Sequence, residues 1–327
     1  MIVKRFNLAL LMVALSGASV PATAQDWPQR PMTMVVPFAA GGGADVMGRI
    51  LAQRLSELLG QQVIVEDVTG AGGMTGTNRV ARAAPDGYQM ALGSVGTHAY
   101  NQTLYKKPLY DAVTDFAPVA LIAETPQVLV ARKDLPAGDL REFIAYARAN
   151  QARMQYGSAG TGSPTHLACS LFNAVIGIDV THIPYRGAAP TMQDLIAGRI
   201  DYQCPNTTVA LPQIAAATIK AIAILTRERS PILPDLASAR EQGLTDFEAS
   251  IWYALFLPKG TPGAIVARLH DAAVATMETP SVRARLADIG ATVVAPARRS
   301  PEYLRNFVAS EIAKWAVPIK AANITGE

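Results

Sequence analysis

Four short segments rich in glycine and small polar residues could bind an anion through their backbone N–H groups. They read "PFAAGGGAD" (37–45), "GSVGTH" (93–98), "GSAGTGSPTH" (157–166) and "PYRGAAP" (184–190). Each follows an apolar run that we predict to be a β-strand. Ligands of open α/β sheets bind at the carboxyl ends of the strands, so these segments form the predicted binding site.

Two of these segments open directly into predicted helices. The glycines at 41–43 precede a helix that begins near Ala44, and the loop at 157–162 precedes one with Ser163 as N-cap and Pro164 at the first position. A helix N-terminus offers free N–H donors and about half a positive charge. Two such ends facing one cleft would hold a carboxylate or phosphate without lysine or arginine. The alternative is that the glycines only make tight turns.

The sequence contains no motif that is typical of a nucleotide-binding or metal-binding site. The segment "GAGGMTG" (70–76) lacks the spacing of a dinucleotide-binding loop, and no G-K-[ST] completes a phosphate loop. The four histidines have no metal-ligand spacing. We therefore expect no cofactor and no metal.

A serine nucleophile is the enzymatic alternative. Ser94 and Ser158 both follow predicted strands, and His166 could serve as a base. A nucleophile elbow needs glycine two residues before the serine, where this chain has Leu92 and Tyr156. An exported serine hydrolase that uses Ser158 or Ser94 remains the alternative function.

Several single side chains allow two interpretations. Asp45 is either a partner of its helix N-terminus or an acceptor for a ligand ammonium, hydroxyl or bridging water, and Asp201 could accept similarly. Arg186 is a ligand contact or part of an ion pair, and we favour the ion pair. Phe38 and Trp252 are core residues or apolar walls of the site, and Phe38 is the better candidate for a wall.

The hydrophobic pattern predicts two series of alternating strands and helices. The predicted strands are 32–38, 62–68, 88–94, 154–159, 180–185 and 219–225. This pattern indicates mostly parallel sheets with helices on both faces. Thr125-Pro126 interrupts one extended run between the two series, and a second run, 251–257, follows them. If both runs cross between lobes, the predicted helices 262–278 and 301–322 return to the first lobe. The predicted lobes are 25–125 with 247–327, and 126–246, joined by a two-strand hinge beside a cleft.

The N-terminus has the features of a secretory signal peptide. Lys4 and Arg5 precede an apolar run, and Ala22-Thr23-Ala24 forms a cleavage site. The remaining chain has 27 basic and 26 acidic residues, a formal net charge of +1. This balance predicts no binding to nucleic acid or to an anionic membrane. We expect an exported, soluble protein.

The chain has two cysteines, Cys169 and Cys204. They either form a disulfide, which we favour in an exported protein, or remain buried free thiols.

The sequence resembles the Bug family, the substrate-binding proteins of tripartite tricarboxylate transporters. The matching segments are "PFAAGGGAD" with Arg49, "GAGGMTGTNRVARAAPDGYQM" (70–90), "GSAGTGSPTHL" (157–167), "HIPYRGAAPTMQDLIAGRID" (182–201) and "YALFLPKGTP" (253–262). The second segment departs from the family pattern at Met74-Thr75. The resemblance implies a periplasmic receptor of two lobes that closes on a small carboxylated solute and presents it to a membrane transporter. It also implies that the first glycine loop and the 157–163 loop hold a ligand carboxylate, partly through waters.

These arguments predict a periplasmic binding protein of type II-like α/β fold that binds a small organic carboxylate such as a di- or tricarboxylate, an amino acid or an aromatic acid. Its expected partners are that ligand and the membrane components of the transporter, and we expect a monomer. A ligand-sensing receptor for a signalling partner is a further alternative. The predicted ligand-binding residues are Phe38, Gly42, Gly43, Asp45, Ser94, Ser158, Gly160, Thr161, Gly162, Ser163, His166, Tyr185 and Asp201.

Overall fold

The computed structural model describes residues 27–245 and 247–326. The predicted signal peptide, 1–24, lies outside them. The strands are β1 (Met32–Val36), β2 (Val63–Asp67), β3 (Gln89–Ser94), β4 (Phe116–Pro126), β5 (Val128–Arg132), β6 (Gln155–Ser158), β7 (Thr181–Pro184), β8 (Tyr202–Gln203), β9 (Ile219–Ile224), β10 (Ser250–Pro258) and β11 (Thr292–Val293). The helices are α1 (Gly43–Leu59), α2 (Met74–Ala81), α3 (Asn101–Leu104), α4 (Leu140–Asn150), α5 (Pro164–Ile176), α6 (Ala188–Ile196), α7 (Thr207–Ala215), α8 (Gly263–Glu278), α9 (Pro280–Asp288) and α10 (Pro301–Ala321).

The strands form two sheets, each packed against helices. The first sheet has the order β11-β4-β10-β3-β1-β2, and the second has the order β7-β6-β8-β5-β9. We call each sheet with its helices a lobe. Both lobes contain the predicted strand and helix alternation, with strand boundaries that differ from the predicted ones by a few residues.

Both sheets are mixed, so the prediction of mostly parallel sheets is wrong. β1 pairs in parallel with β2 and β3, but β10 runs antiparallel to β3 and β4. In the second sheet β6 pairs in parallel with β7 and β8, whereas β5 runs antiparallel to β8 and β9. In the first sheet β10 and β11 run opposite to the other four strands, and in the second sheet β5 runs opposite to the other four. β5 and β10 are the strands that the chain enters directly after its two crossings between the sheets. Their direction follows from that connection and not from the βαβ pattern.

Gln127 lies where the chain crosses from β4 to β5. Its N–H donates to the carbonyl of Ala249 at 3.3 Å, and its carbonyl accepts from the N–H of Leu225 at 2.8 Å. Ala249 immediately precedes β10, so the outgoing and returning crossings run side by side. Pro126 ends β4, as the sequence predicted, because proline has no N–H to donate to a sheet. The lobes are therefore joined by a two-strand hinge.

Local sequence explains where the two helices that face the cleft begin. α1 has Gly42 as its N-cap and presents an apolar stripe that includes Met47, Leu51 and Leu55, all buried. α5 begins as predicted, with Pro164 at its first position and the Ser163 hydroxyl accepting from the N–H of His166 at 3.3 Å.

Cys169 of α5 and Cys204, which follows β8, form a disulfide with a Cα–Cα distance of 5.6 Å. Both cysteines are fully buried. The sequence left open whether these cysteines form a disulfide or remain free thiols, and in the structure they form the disulfide. The bond joins α5 to the segment that leads into α7.

None of the helices in the described part of the chain is long and apolar enough to cross a membrane. Among the same residues, no three histidine, cysteine or acidic side chains come close enough together to hold a metal ion.

Candidate functional site

A small inner cavity of about 40 Å³ lies where the N-termini of several helices meet. Residues 42–44 at the start of α1 and residues 164–165 at the start of α5 line it, together with Ala188 at the start of α6 and Asn206, the N-cap of α7. The first N–H groups of a helix have no partner within it and carry partial positive charge. The cavity is therefore suited to one carboxylate group or to ordered water that bridges to one.

Ser94, the last residue of β3, adds a hydroxyl group to the inner cavity. Its side-chain oxygen is buried and has no hydrogen-bond partner among the described residues. A buried hydroxyl without a partner costs about 1–3 kcal/mol. A ligand oxygen in the inner cavity would supply the missing partner.

We expect Ser94→Ala to weaken ligand binding about tenfold, because the ligand carboxylate loses the hydrogen bond that this hydroxyl donates. The unliganded protein should unfold with an unchanged or larger free energy, since the hydroxyl is unpaired there. Calorimetric titration measures the first quantity and urea unfolding the second. Ser310→Ala is the control, because that exposed hydroxyl bonds only to the Phe307 carbonyl of its own helix. Equal affinity in wild type and Ser94→Ala would contradict the assignment.

A larger outer cleft of about 850 Å³ lies between the lobes. One wall comes from the first lobe, with Phe38 and residues 69–73, and the opposite wall comes from the second, with residues 159–161 and 184–186. No aspartate or glutamate among the described residues lines it, and Arg186 is its one side chain with a permanent formal charge. The cleft has the size of a small-molecule site and favours an anion.

Phe38 and Ala159 line both the inner cavity and the outer cleft. They therefore mark the place where the two spaces adjoin. The ring of Phe38 comes from the loop after β1, and Ala159 comes from the loop after β6. Phe38, which the sequence predicts to be an apolar wall of the site, lines both spaces.

Two histidines of the second lobe line the outer cleft with stacked rings. The ring centroids of His166 and His182 are 4.2 Å apart. The N–H of Gly162 donates to Nδ1 of His166 at 3.2 Å, so the proton of the neutral ring is on Nε2. Burial, with the neighbouring His182, lowers the pKa of His166 to about 3, and burial lowers the pKa of His182 to about 4. Both rings are neutral at neutral pH, where each supplies one N–H donor.

The Ser158 hydroxyl is 2.7 Å from Nε2 of His182, not from His166 as the hydrolase alternative assumed. Ser158 is fully buried and lines neither cavity. Its oxygen also accepts from the N–H of Gly160 at 3.2 Å. This serine thus holds the 158–160 loop and the His182 ring in place.

Glycines allow the two lobes to approach closely around the site. A Cβ on Gly43 of the first lobe would overlap the side-chain amide of Asn206 in the second. A Cβ on Gly72, whose φ of +59° also favours glycine, would lie 2.5 Å from the carbonyl oxygen of Thr161 across the cleft. These contacts describe a closed arrangement that larger residues would prevent.

Hydrogen bonds also cross between the lobes beside the site. The Tyr105 hydroxyl donates to the carbonyl of Thr161 at 3.1 Å, and Nδ2 of Asn206 donates to the Tyr253 hydroxyl at 3.1 Å. The Thr207 hydroxyl donates to the carbonyl of Ile289 at 3.2 Å. These bonds stabilise the closed arrangement, and each joins a side chain to a group far away in the sequence.

The structure brings most of the predicted site residues together in two groups. Gly42, Gly43 and Ser94 line the inner cavity, and Gly160, Thr161, His166 and Tyr185 line the outer cleft, with Phe38 in both. Gly162 and Ser163 line neither; they shape the turn before α5, where the Gly162 N–H binds His166 and the Ser163 hydroxyl caps the helix.

Asp45 and Asp201 are engaged within the protein and line neither cavity. Asp45 accepts from the N–H of Gly41 at 2.8 Å and pairs with Arg49 at 2.6 Å, so it supports the glycine loop. Asp201 pairs with Arg132 at 2.9 Å and accepts from the N–H of Gln155 at 2.7 Å. Trp252 is buried and donates to Glu311 in the first lobe.

Sequence reasoning did not place several residues that surround the site. His182 lies in the segment 182–201 that carries the family resemblance but was not among the predicted ligand-binding residues, and neither were Asn206, Tyr253 and Tyr105. Asn206 had a local signal, since asparagine is a preferred N-cap and "NTT" precedes a helical run. The two tyrosines had none, because their positions depend on contacts between distant parts of the chain.

Comparison with known proteins links this geometry to a family. A model described as "Tripartite tricarboxylate transporter family receptor" matches residues 47–324. Protein BugT of Bordetella pertussis is 34% identical over 307 residues, which cover 94% of this chain and 93% of that protein.

Two solved structures with bound ligands are similar throughout. MatC from Rhodopseudomonas palustris, with bound malate, has 39% identity and a TM-score of 0.87, and the match covers 89% of this chain and 99% of that chain. Rpa4515 from R. palustris, with adipate, has 36% identity and a TM-score of 0.87, covering 92% of this chain and 99% of that chain.

Proposed function

Because this chain belongs to the Bug family of tripartite tricarboxylate transporter receptors, we propose that it is a periplasmic solute-binding protein that captures a small organic carboxylate. Its fold is that of periplasmic binding proteins, with two α/β lobes, a two-strand hinge and a cleft. The main observation behind this proposal is the lining of the inner cavity. The N-termini of α1, α5 and α6 and the N-cap of α7 converge there with the unpartnered Ser94 hydroxyl, and no cationic side chain among the described residues lines it.

We propose that residues 25–125 with 247–327 form the first lobe and residues 126–246 the second. The adjacent crossings at Gln127 and Ala249 support these limits. The lobes would close on the ligand by a rotation at the hinge, and the interlobe contacts of Gly43 and Gly72 describe the closed form.

The proposed ligand contacts are Phe38, Gly42, Gly43 and Ser94 around the first carboxylate and Gly160, Thr161, His166 and Tyr185 in the outer cleft. Ser158, Gly162 and Ser163 would position these groups. Asp45 and Asp201 would not contact the ligand and would instead hold nearby backbone segments in place through their hydrogen bonds. The malate and adipate of the two similar structures support a ligand with carboxylate groups.

The proposed cellular role is delivery of the ligand to the membrane components of a tripartite tricarboxylate transporter. Residues 1–24 would direct export to the periplasm, and the mature protein would act as a monomer without catalysis. Burial of Ser158 argues against its use as a nucleophile. Turnover of simple esters that disappears in Ser158→Ala would contradict this part of the proposal.

A thermal-shift screen of the purified mature protein tests carboxylate binding directly. The panel contains malate, adipate, citrate, glutamate and benzoate, each beside its fully methylated ester. A ligand at a hundred times its dissociation constant should stabilise the protein by about 2.7 kcal/mol, and its ester should have no effect because the inner cavity then lacks its anion. A panel without any shift, or equal shifts with acids and esters, would contradict the proposal.

A further inference from the structure

Arg186 occupies an unusual position among the arginines of this protein. It lies in the outer cleft, between Tyr185 and Gly187, the N-cap of α6. Its side chain is exposed, and within the described part of the chain it has no ion-pair or hydrogen-bond partner. Other arginines of the same lobe, such as Arg132 and Arg199, form ion pairs. The ion pair favoured for Arg186 from the sequence is therefore not found among the described residues.

The backbone that carries Arg186 is held firmly. The N–H of Tyr185 donates to the carbonyl of Ser158 at 3.0 Å, and the Tyr185 hydroxyl donates to Asp194 at 2.7 Å. Asp194 already pairs with Arg199 at 2.7 Å. Among the described residues, no carboxylate lines the cleft beside Arg186.

The space between the inner cavity and Arg186 is lined by neutral groups. His166 and His182 present uncharged rings, and Phe38 and Ala159 present apolar surface. Positive potential is accordingly found at two places: the converging helix N-termini of the inner cavity and the guanidinium of Arg186. A guanidinium binds a carboxylate through paired N–H donors, which a lone backbone amide does not offer.

We propose that Arg186 binds a second carboxylate of the ligand, so that the protein selects molecules with an acid group at each end of an uncharged chain or ring. This inference rests on the proposed function, because it takes the first carboxylate to occupy the inner cavity. The stacked rings of His166 and His182 would line the path of the connecting carbon atoms. Since Arg186 is exposed to solvent, its contribution to affinity is about tenfold.

Calorimetric titration of the mature protein with matched ligand pairs tests this assignment. The pairs are succinate, adipate and suberate, each with its monomethyl ester. Wild type should bind at least one diacid about tenfold more tightly than its monoester. Arg186→Gln should weaken that diacid to the level of the monoester and leave the monoester unchanged. Arg186→Lys should keep part of the preference, because it retains the charge.

Arg240→Gln is the matched control, since Arg240 is an exposed arginine of the same lobe outside both cavities. It should bind like wild type. Equal weakening of diacid and monoester in Arg186→Gln, or a preference that survives the substitution, would overturn the role of Arg186. Equal wild-type affinity for both members of every pair would overturn the second carboxylate site while leaving the proposed function intact. A wild type that binds none of the six would overturn the selection of diacids, whereas the proposed function itself is contradicted only when the thermal-shift panel of acids shows no shift.

Discussion

Replacing Gly43 with valine should weaken ligand binding about a hundredfold while the protein remains folded. The added Cβ would overlap the side-chain amide of Asn206 across the cleft. That amide has little freedom to move, because it accepts from the N–H of Val209 at 3.3 Å and donates to the Tyr253 hydroxyl at 3.1 Å. Overpacking of this kind costs about 1–3 kcal/mol, and the upper end corresponds to the hundredfold loss.

The steric overlap destabilises the closed form of the protein, because Gly43 and Asn206 belong to different lobes. A protein that opens at the hinge relieves the overlap, so the melting temperature without ligand should change little. Calorimetry measures the affinity, and small-angle scattering should show that ligand compacts the wild type but not the variant. Unchanged affinity in Gly43→Val would remove this contact from the site.

Gly263→Val provides a matched control. Gly263 is the first residue of α8, as Gly43 is of α1, and a Cβ there would meet no atom within 4 Å. The substitution should leave affinity unchanged. At Gly42, a Cβ would meet the Ala39 carbonyl oxygen at 3.2 Å and Ala188 only at 3.9 Å. We therefore expect a smaller loss there than at Gly43.

Removal of the disulfide by Cys169→Ala and Cys204→Ala together should lower the free energy of unfolding by about 4 kcal/mol. The bond closes a loop with a sequence separation of 35 residues, and the loss reflects the larger conformational freedom of the unfolded chain. Urea unfolding of the double variant and of wild type, with and without reductant, measures the effect.

Reduction of the wild type breaks the disulfide without removing any side-chain volume. The measurement under reducing conditions therefore separates the loss of the bond from the effect of the cavity that the alanine substitutions leave. Reduced wild type should unfold at a lower urea concentration than oxidised wild type, whereas reductant should have no effect on the double variant. Alkylation of the denatured protein should add mass only after reduction. Equal alkylated masses with and without reductant would show that the thiols are free in the purified protein.

Local sequence patterns predicted the parts of the structure that depend on neighbouring residues. The strand that ends at Ser94, the N-cap at Ser163 and the break at Pro126 each follow from residue types within a few positions. Strand ends and helix starts then placed the glycine loops at one edge of each sheet. This is why Gly42, Gly43, Gly160 and Thr161 could be selected from the sequence.

Contacts between distant segments could not be predicted in the same way. For Arg186 the sequence left a ligand contact and an ion pair open, with the ion pair favoured, and only the folded chain shows that no such pair forms among the described residues. The mixed sheets follow from the two crossings of the chain between the sheets, into β5 and into β10, which no local pattern encodes. Tyr105 meets Thr161 only because the lobes close. These features belong to tertiary structure.

The position of Phe38 between the two spaces gives binding a direction. In the closed form, a solute whose acid group occupied the inner cavity would point that group inward past Phe38 and Ala159 and leave its other end in the outer cleft near Arg186. The solute would thus be held in one orientation, and a receiving protein that docked at the mouth of the cleft would meet the outer end first.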